Sequence, residues 1–284
     1  MNWISRQIRD FAPLTVVVVV GIFTYKWWLP YLDSTASHST VDRPEITSET
    51  TSYKSVHLSL GNPSGATASV SNPDNYLMIK PQYALSYNRS KGTANWVSWE
   101  LNSSWLGGVD RQNNFRPDDT LPAGWERVMP SVYSRSGYDK GHIVPSGDRT
   151  SSAQDNSQTF LMTNMMPQTP DNNRHTWEGL EVYCRQLARQ GKELYIIAGT
   201  YGSQGTLKGQ VTIPQSTWKV VVVLDYPGAA VTANTRVIAV NVPNQQGINY
   251  DWRAYRVSVK ELEKLTGYHF LDKVPGASDV VDTQ

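Results

Sequence analysis

Asn173-Arg-His-Thr-Trp-Glu-Gly-Leu-Glu-Val-Tyr-Cys-Arg-Gln-Leu-Ala-Arg-Gln190 is the stretch from which the architecture can be read. Trp177, Leu180, Cys184 and Leu187 recur at the i, i+3, i+4 spacing of one buried helix face, and Gly191 follows as a stop signal. Strand-like runs lie on both sides of this helix. Tyr76–Ile79, Tyr83–Tyr87 and Trp96–Leu101 precede it, the last two with rough alternation. Leu194–Ala198, Trp218–Leu224 and Arg236–Val242 follow it as β-branched or apolar runs of the kind expected of central strands. A second helix opens with Ser258-Val-Lys-Glu261, a capping-box pattern, and ends near Gly267. Strands flanking a helix predict an α+β domain, with helices packed on a central sheet that is mixed or mostly antiparallel. Between these elements, 102–132 and 145–175 read as long Gly-, Pro- and Asn-rich loops. Loops of that length in a compact domain usually carry function.

Upstream, residues 1–10 carry Arg6 and Arg9, and Phe11 to Tyr25 is almost wholly apolar, with five consecutive valines at 16–20. A basic flank before an apolar run reads as an export signal over 1–32. Trp27 to Leu32 extends it towards the length of a span, so it serves either as an uncleaved anchor or as a leader cut near Ser34-Thr35-Ala36. Residues 33–55 are Ser- and Thr-rich with few large apolar side chains, which predicts a flexible linker. The folded domain is expected from Val56 onward, spanning 56–284, with no internal repeat.

The 284 residues carry a net charge of only +1, which excludes a protein that coats duplex DNA by charge alone. Any polyanion must meet positive charge concentrated at one site. Ten tryptophans and fifteen tyrosines suit a β-rich core. Cys184 is the single cysteine, so neither an intramolecular disulfide nor a cysteine zinc cluster can form. On its helix it reads as a small core residue, with no base beside it to activate it.

Histidine titrates nearest neutrality, and there are five. His38 falls in the linker, His57 at an expected frayed start of the domain, and His269 just past the last helix. His142 and His175 remain. His142 sits in Ser136-Gly-Tyr-Asp-Lys-Gly-His-Ile-Val-Pro-Ser-Gly-Asp-Arg149, where Asp139, Lys140, Asp148 and Arg149 crowd around it. So dense a polar segment is costly to bury, and either lines an open site or forms a surface turn with a satisfied histidine. In the helix, Glu181 and Arg185 are four apart on one face, and Asn173 stands at its start. An amide oxygen and a carboxylate along one edge can hold hydrated Mg²⁺. The alternative is an N-capping asparagine followed by a solvated Glu–Arg pair.

Taken together, Asp-Lys-Gly-His at 139–142, then Asn173, Trp177 and Glu181, resemble the DNA/RNA non-specific endonucleases with a ββα-metal (His-Me finger) site. YALSYNRSKGTANWVSWELNSSWLG (83–107), RQNNFRPDDTLPAGW (111–125), TNMMPQTPDNN (163–173) and LEKLTGY (262–268) look like the sugar-non-specific nucleases of cyanobacteria within that family. The resemblance covers roughly residues 56–272. It implies His142 as general base, Asn173 as the direct protein ligand of a Mg²⁺ or Mn²⁺ ion, and Glu181 holding that ion through water. Arg111 and Arg185 would contact the scissile phosphate, and Asp139 would orient the site. Lys140 departs from the family's usual arginine, keeping the charge but losing the planar fork suited to phosphate.

The implied activity is metal-dependent hydrolysis of DNA and RNA without regard to sequence, leaving 5′-phosphates. Contacts to phosphates give position without base information, and a few cations in one cleft suffice. Export suits such an activity, which would harm its own cell from within. The implied partners are DNA and RNA, the membrane if the leader is uncleaved, and a protein inhibitor. Competing readings are an inactive nucleic-acid-binding module on the same fold, and an anchored adhesion domain.

Overall fold

The computed structural model describes residues 55–232 and 234–271. The expected targeting segment and residues 33–54 of the linker lie outside the described residues. Ten strands follow in order: β1 (Tyr76–Ile79), β2 (Ala84–Asn88), β3 (Thr93–Leu101), β4 (Asp139–His142), β5 (Met165–Gln168), β6 (Glu193–Tyr201), β7 (Thr206–Leu207), β8 (Val211–Thr212), β9 (Ser216–Leu224) and β10 (Arg236–Pro243). The α-helices among the described residues are α1 (Ala153–Gln158), α2 (Glu178–Arg189) and α3 (Val259–Thr266).

Six strands make one sheet in the order β1-β2-β3-β6-β9-β10, and every neighbouring pair is antiparallel. Both of its faces are covered, which is why β9 reads as an uninterrupted apolar run rather than an alternation. Val221 and Val223 face one core with Trp177, Leu180, Cys184 and Leu187 of the predicted helix stripe. Val220, Val222 and Leu224 face the other, with Leu58, Val259, Leu262 and Phe270. Cys184 is buried and unpaired, and burial pushes its thiol up to about 12. The capping box of α3 forms, and Gly267 closes the helix in the left-handed region at φ 72°.

Three expectations need correction. Arg236–Val242 was expected to be central, but β10 is an edge strand. Its apolar run follows from burial beneath the chain that leads into α3, where the Val257 amide donates to the Ala239 carbonyl at 3.0 Å. His57 is not at a frayed end. It is buried, accepts the Glu100 amide on Nδ1 at 3.2 Å and donates from Nε2 to the Pro81 carbonyl at 2.8 Å. Finally, the stretch expected to be loop at 145–175 contains α1 and β5, and β4 lies just before it. Asp-Lys-Gly-His has little intrinsic preference for a strand. Its pairing with β5 is imposed by tertiary context. Fully buried Asn164 stitches the two segments, accepting the Val144 amide at 2.9 Å and donating to the Val144 carbonyl at 2.9 Å.

A candidate active site on a strand–strand–helix finger

β4 and β5 form a two-stranded ribbon in register Asp139↔Gln168 to His142↔Met165. The chain then turns into the helix expected from Asn173 to Gln190. Its first turns, Asn172–Trp177, are wound as π-helix before α2 begins. Wide turns of this kind cluster at functional sites. This one is fixed by buried Asn172, whose amide donates to Thr217 Oγ1 at 3.0 Å and to the Pro243 carbonyl at 3.2 Å. Asn173 therefore does not cap the helix. That position falls to Asp171, and the Asn173 side chain points at β4 instead, donating to Asp139 Oδ2 at 3.0 Å.

The ribbon and helix wall a cleft of about 320 Å³ lined by Arg111, Lys140, His142, Asn173, Glu181 and Arg185, with Ser146, Gly147, Arg174 and Glu178 beside them. The site residues expected from sequence thus meet in one place, with Asp139 immediately behind. A larger depression of about 440 Å³ along β1 has neither histidine nor arginine in its lining.

His142 is buried, with its ring edge-on to Phe160 at 4.8 Å between centroids and tilted against Phe115 at 5.5 Å. Its Nε2 has no hydrogen-bond partner among the described residues, so the satisfied-turn alternative does not describe it. Burial first, then the charge of Arg111, pushes the ring down to about 3. The imidazole is neutral at pH 7 and has a lone pair to offer.

The glycine before it is there for space. A Cβ on Gly141 would lie 1.9 Å from Gln168 Oε1 across the ribbon. Gly147 fills a similar role under Arg185, where a Cβ would come within 3.1 Å of the guanidinium.

The cations are held from behind. Arg111 donates to Ser146 Oγ at 2.7 Å and to Asn113 Oδ1 at 2.8 Å, with its guanidinium 4.9 Å from the Phe160 ring centre. Lys140 Nζ lies 4.8 Å from the Phe115 ring centre. Arg185 pairs with buried Asp148 at 3.1 Å, and Trp99 donates to that carboxylate at 2.9 Å. The expected solvated Glu181–Arg185 pair is thus replaced by a buried Asp148–Arg185 pair. Asp148 and Arg149 do not line the cleft. Arg149 is fully buried, donating to the carbonyls of Gln82 and Glu100 while its guanidinium lies 4.0 Å from the Trp105 ring centre.

Asp139 accepts two hydrogen bonds from Arg174, at 2.7 and 2.8 Å, as well as the one from Asn173. Burial alone would raise its pKa, but these bonds and the neighbouring charge hold it below the ordinary carboxylate value. Arg174, Ser146 and the Asp148 anchor were not identified from sequence. Asp148 lay within the quoted polar segment, but nothing in its spacing revealed its partner. Arg174 was quoted beside Asn173 without a role.

The donor set suits a hard divalent cation. With its Nδ2 spent on Asp139, Asn173 presents an Oδ1 that accepts no hydrogen bond from the described residues. Half-buried Glu181 has no hydrogen-bond partner among them either. Burial pushes it up to about 7, against the pull of Lys219 and Arg185. An unpartnered amide oxygen and an unpartnered carboxylate on one cleft wall are hard oxygen donors for an ion that keeps most of its waters. No group of three His, Cys, Asp or Glu side chains gathers anywhere among the described residues, this cleft included.

A neutral imidazole whose Nε2 meets no partner among the described residues thus shares one cleft with fixed guanidinium groups, on a strand–strand–helix finger. The chain belongs to the DNA/RNA non-specific endonuclease family, whose sequence profile matches residues 61–277. It is 71% identical over 224 residues to a nuclease of Nostoc sp., covering 78% of this chain and 82% of that one. Nuclease C1 of Cunninghamella echinulata is 31% identical, over 69% of this chain and 82% of its own. Among solved structures, an EndoG chain from its complex with EndoGI superposes with a TM-score of 0.60 at 25% identity, over 69% of this chain and 86% of that one.

Proposed function

We propose that this nuclease hydrolyses DNA and RNA by a His142-activated water, with a single magnesium or manganese ion, leaving 5′-phosphate ends. The observation that carries the reading is the buried His142 ring, with Nε2 unpartnered, in the same cleft as Arg111, Lys140, Asn173 and Arg185. His142 takes a proton from water as the water oxygen bonds to phosphorus. The bond from phosphorus to the 3′ oxygen breaks, and that oxygen takes a proton from solvent. Arg111 and Arg185 set fixed positive charge against the non-bridging oxygens, where charge grows in the transition state. Asn173 directly, and Glu181 through water, would hold the ion, which when bound would supply Lewis acidity to the phosphate being cleaved. A bound phosphate would offset the smaller part of the His142 depression, the repulsion from Arg111, while the larger part, from burial, stays. Asp139, clamped by Arg174, aims the Asn173 oxygen into the cleft.

The test is plasmid DNA and RNA incubated with the purified protein in magnesium, in manganese and in EDTA, beside His142→Ala. Metal-dependent loss of both substrates, abolished in the variant, is expected. Cleavage that persists in His142→Ala would transfer the base role to another residue.

Export through residues 1–32 is part of the same reading, and fractionation of expressing cells tests it: activity confined to the cytoplasm would end it. An inhibitory protein partner belongs to it as well, since the similar EndoG structure is of a complex described as inhibition. Such a partner would have to present acidic groups to this cleft.

A further inference from the structure

We propose that His175 and Tyr250 form a base-stacking platform beside the cleft, which gives the enzyme an additional grip on single-stranded nucleic acid. The inference rests on the cleft being where the strand is cut. The two rings stack with centroids 4.0 Å apart and planes 20° from parallel. Both residues are exposed, Tyr250 by 53%, an unusual amount for a large aromatic side chain in this domain. A stacked pair uses one face of each ring, so the outer face is available to a third.

The platform is built rather than loose. Tyr250 OH donates to Asp171 Oδ1 at 3.3 Å, and the same carboxylate accepts the Gly247 amide at 2.7 Å. Thr176 Oγ1 donates to the Asn249 carbonyl at 2.8 Å, pinning the loop that carries Tyr250 to the helix that carries His175. An aromatic face already ordered costs little entropy when it meets a partner.

Its position points to the occupant. His175 follows Asn173 and Arg174 on the same π-helical turn, and Arg174 lines the cleft. Two of the guanidinium's five N–H groups are taken by Asp139, leaving the others for a phosphate. A strand leaving the cleft would therefore meet a cation and then an aromatic surface. The acids around the platform outnumber the cations: Asp171, Asp251 and Glu178 stand near Arg174 and Arg253, which pairs with Asp251 at 3.3 Å. Charge alone would not hold a strand there, so the attraction must come from stacking. Bases in a duplex have their faces occupied, and only an unpaired base can use the platform.

Steady-state cleavage of a single-stranded and a duplex oligonucleotide by wild type, Tyr250→Ala, Tyr250→Phe and His175→Ala tests this. Tyr250→Ala is expected to raise KM for the single strand by roughly 5- to 50-fold with kcat little changed. The duplex KM should move less than about twofold, since its bases are not free to stack. Tyr250→Phe keeps the ring and loses only the Asp171 bond, so its single-strand KM should rise far less than that of Tyr250→Ala, which separates stacking from loss of that bond. His175→Ala removes the backing ring and should give a smaller effect of the same pattern. An unchanged single-strand KM in Tyr250→Ala, or an equal rise for both substrates, overturns the platform while the nuclease reading stands. If wild type cuts neither oligonucleotide, the cleft reading fails and the platform falls with it.

Discussion

Gly141→Ala isolates the reason for a glycine in front of His142, the proposed general base. The backbone of Gly141 is not in the left-handed region, so an alanine has no torsional objection there. The obstacle is Gln168, whose Oε1, Cδ and Cγ would lie 1.9, 2.6 and 2.8 Å from the new Cβ. An exposed glutamine would swing away, but Gln168 is fully buried and donates to Asn172 Oδ1 at 2.9 Å. Forcing a methyl group into such a space costs about 1–3 kcal/mol. Losing the buried hydrogen bond adds about 1 kcal/mol. The sum, roughly 2–4 kcal/mol, corresponds to a Tm lower by roughly 5–15 °C in a domain of this size. Asn172 also fixes the π-turn that carries Asn173, so kcat should fall by about tenfold or more, as expected of a misplaced catalytic group. Urea unfolding and plasmid cleavage are to be measured for Gly141→Ala, Gln168→Ala and the double variant. With Gln168 truncated the clash is gone, and adding Gly141→Ala should then cost less than about 1 kcal/mol, a strongly non-additive cycle. A Gly141→Ala cost that is the same in both backgrounds would refute the steric account and return the glycine to a role in chain flexibility.

Other consequences follow from the same geometry. His57 is kept neutral by burial, with its pKa lowered from 6.5 to about 4. The unfolded chain takes up a proton below pH 6.5 that the folded chain refuses until about pH 4, so folding loses stability across that window as pH falls. The loss reaches ~3 kcal/mol at the acid end. His57→Gln should flatten that part of the urea-unfolding profile, and equal pH slopes for the two proteins would contradict it. Lys140→Arg restores a planar fork beside His142 and is expected to raise kcat/KM by about two- to tenfold, mainly through KM. A fall would mean that the contact with Phe115 leaves no room for the longer head. Asp148→Asn keeps an acceptor for Trp99 but removes the charge that holds Arg185. Cleavage should drop by about tenfold while the tryptophan emission of the whole protein stays native.

Much of the fold was legible because burial on both sheet faces leaves long apolar runs, and because Trp177, Leu180, Cys184 and Leu187 repeat at helical spacing. β10 looked central for the same reason: an edge strand covered by a following segment carries the same residues as one in the middle. β4 was illegible as a strand, since Asp139 to His142 pair with β5 only because buried Asn164 and Gly141 permit the approach. The side chains that meet in the cleft could be selected by residue type and by resemblance. Their anchors could not. Nothing in the spacing of Asp148 and Arg185, 37 residues apart, or of Asp139 and Arg174, 35 apart, announces a pair. His57 was misplaced because its partners, Pro81 and Glu100, are distant in the chain and one of them is a backbone carbonyl.

Those anchors bear on why a nearly neutral nuclease would call on a metal, as proposed, to act on a polyanion. The cleft presents four cations, Arg111, Lys140, Arg174 and Arg185, and two carboxylates, Glu178 and Glu181. Behind it, Asp139 and Asp148 are ion-paired with two of the arginines. With His142 neutral, the positive and negative charges nearly balance, Glu181 being only part ionised near pH 7 because burial pushes it up to about 7. The carboxylates hold the guanidinium groups in place at the cost of most of their field, and a divalent ion between Asn173 and Glu181 would restore a charge of about +2 where the phosphate must sit. Binding of His142→Ala to duplex DNA should therefore be weak in EDTA and respond shallowly to salt. In magnesium it should tighten, with a salt dependence steeper by about one to two counterions released. Affinity and salt slope that are the same with and without the ion would mean that the arginines alone supply the field. The metal would then be confined to the chemical step.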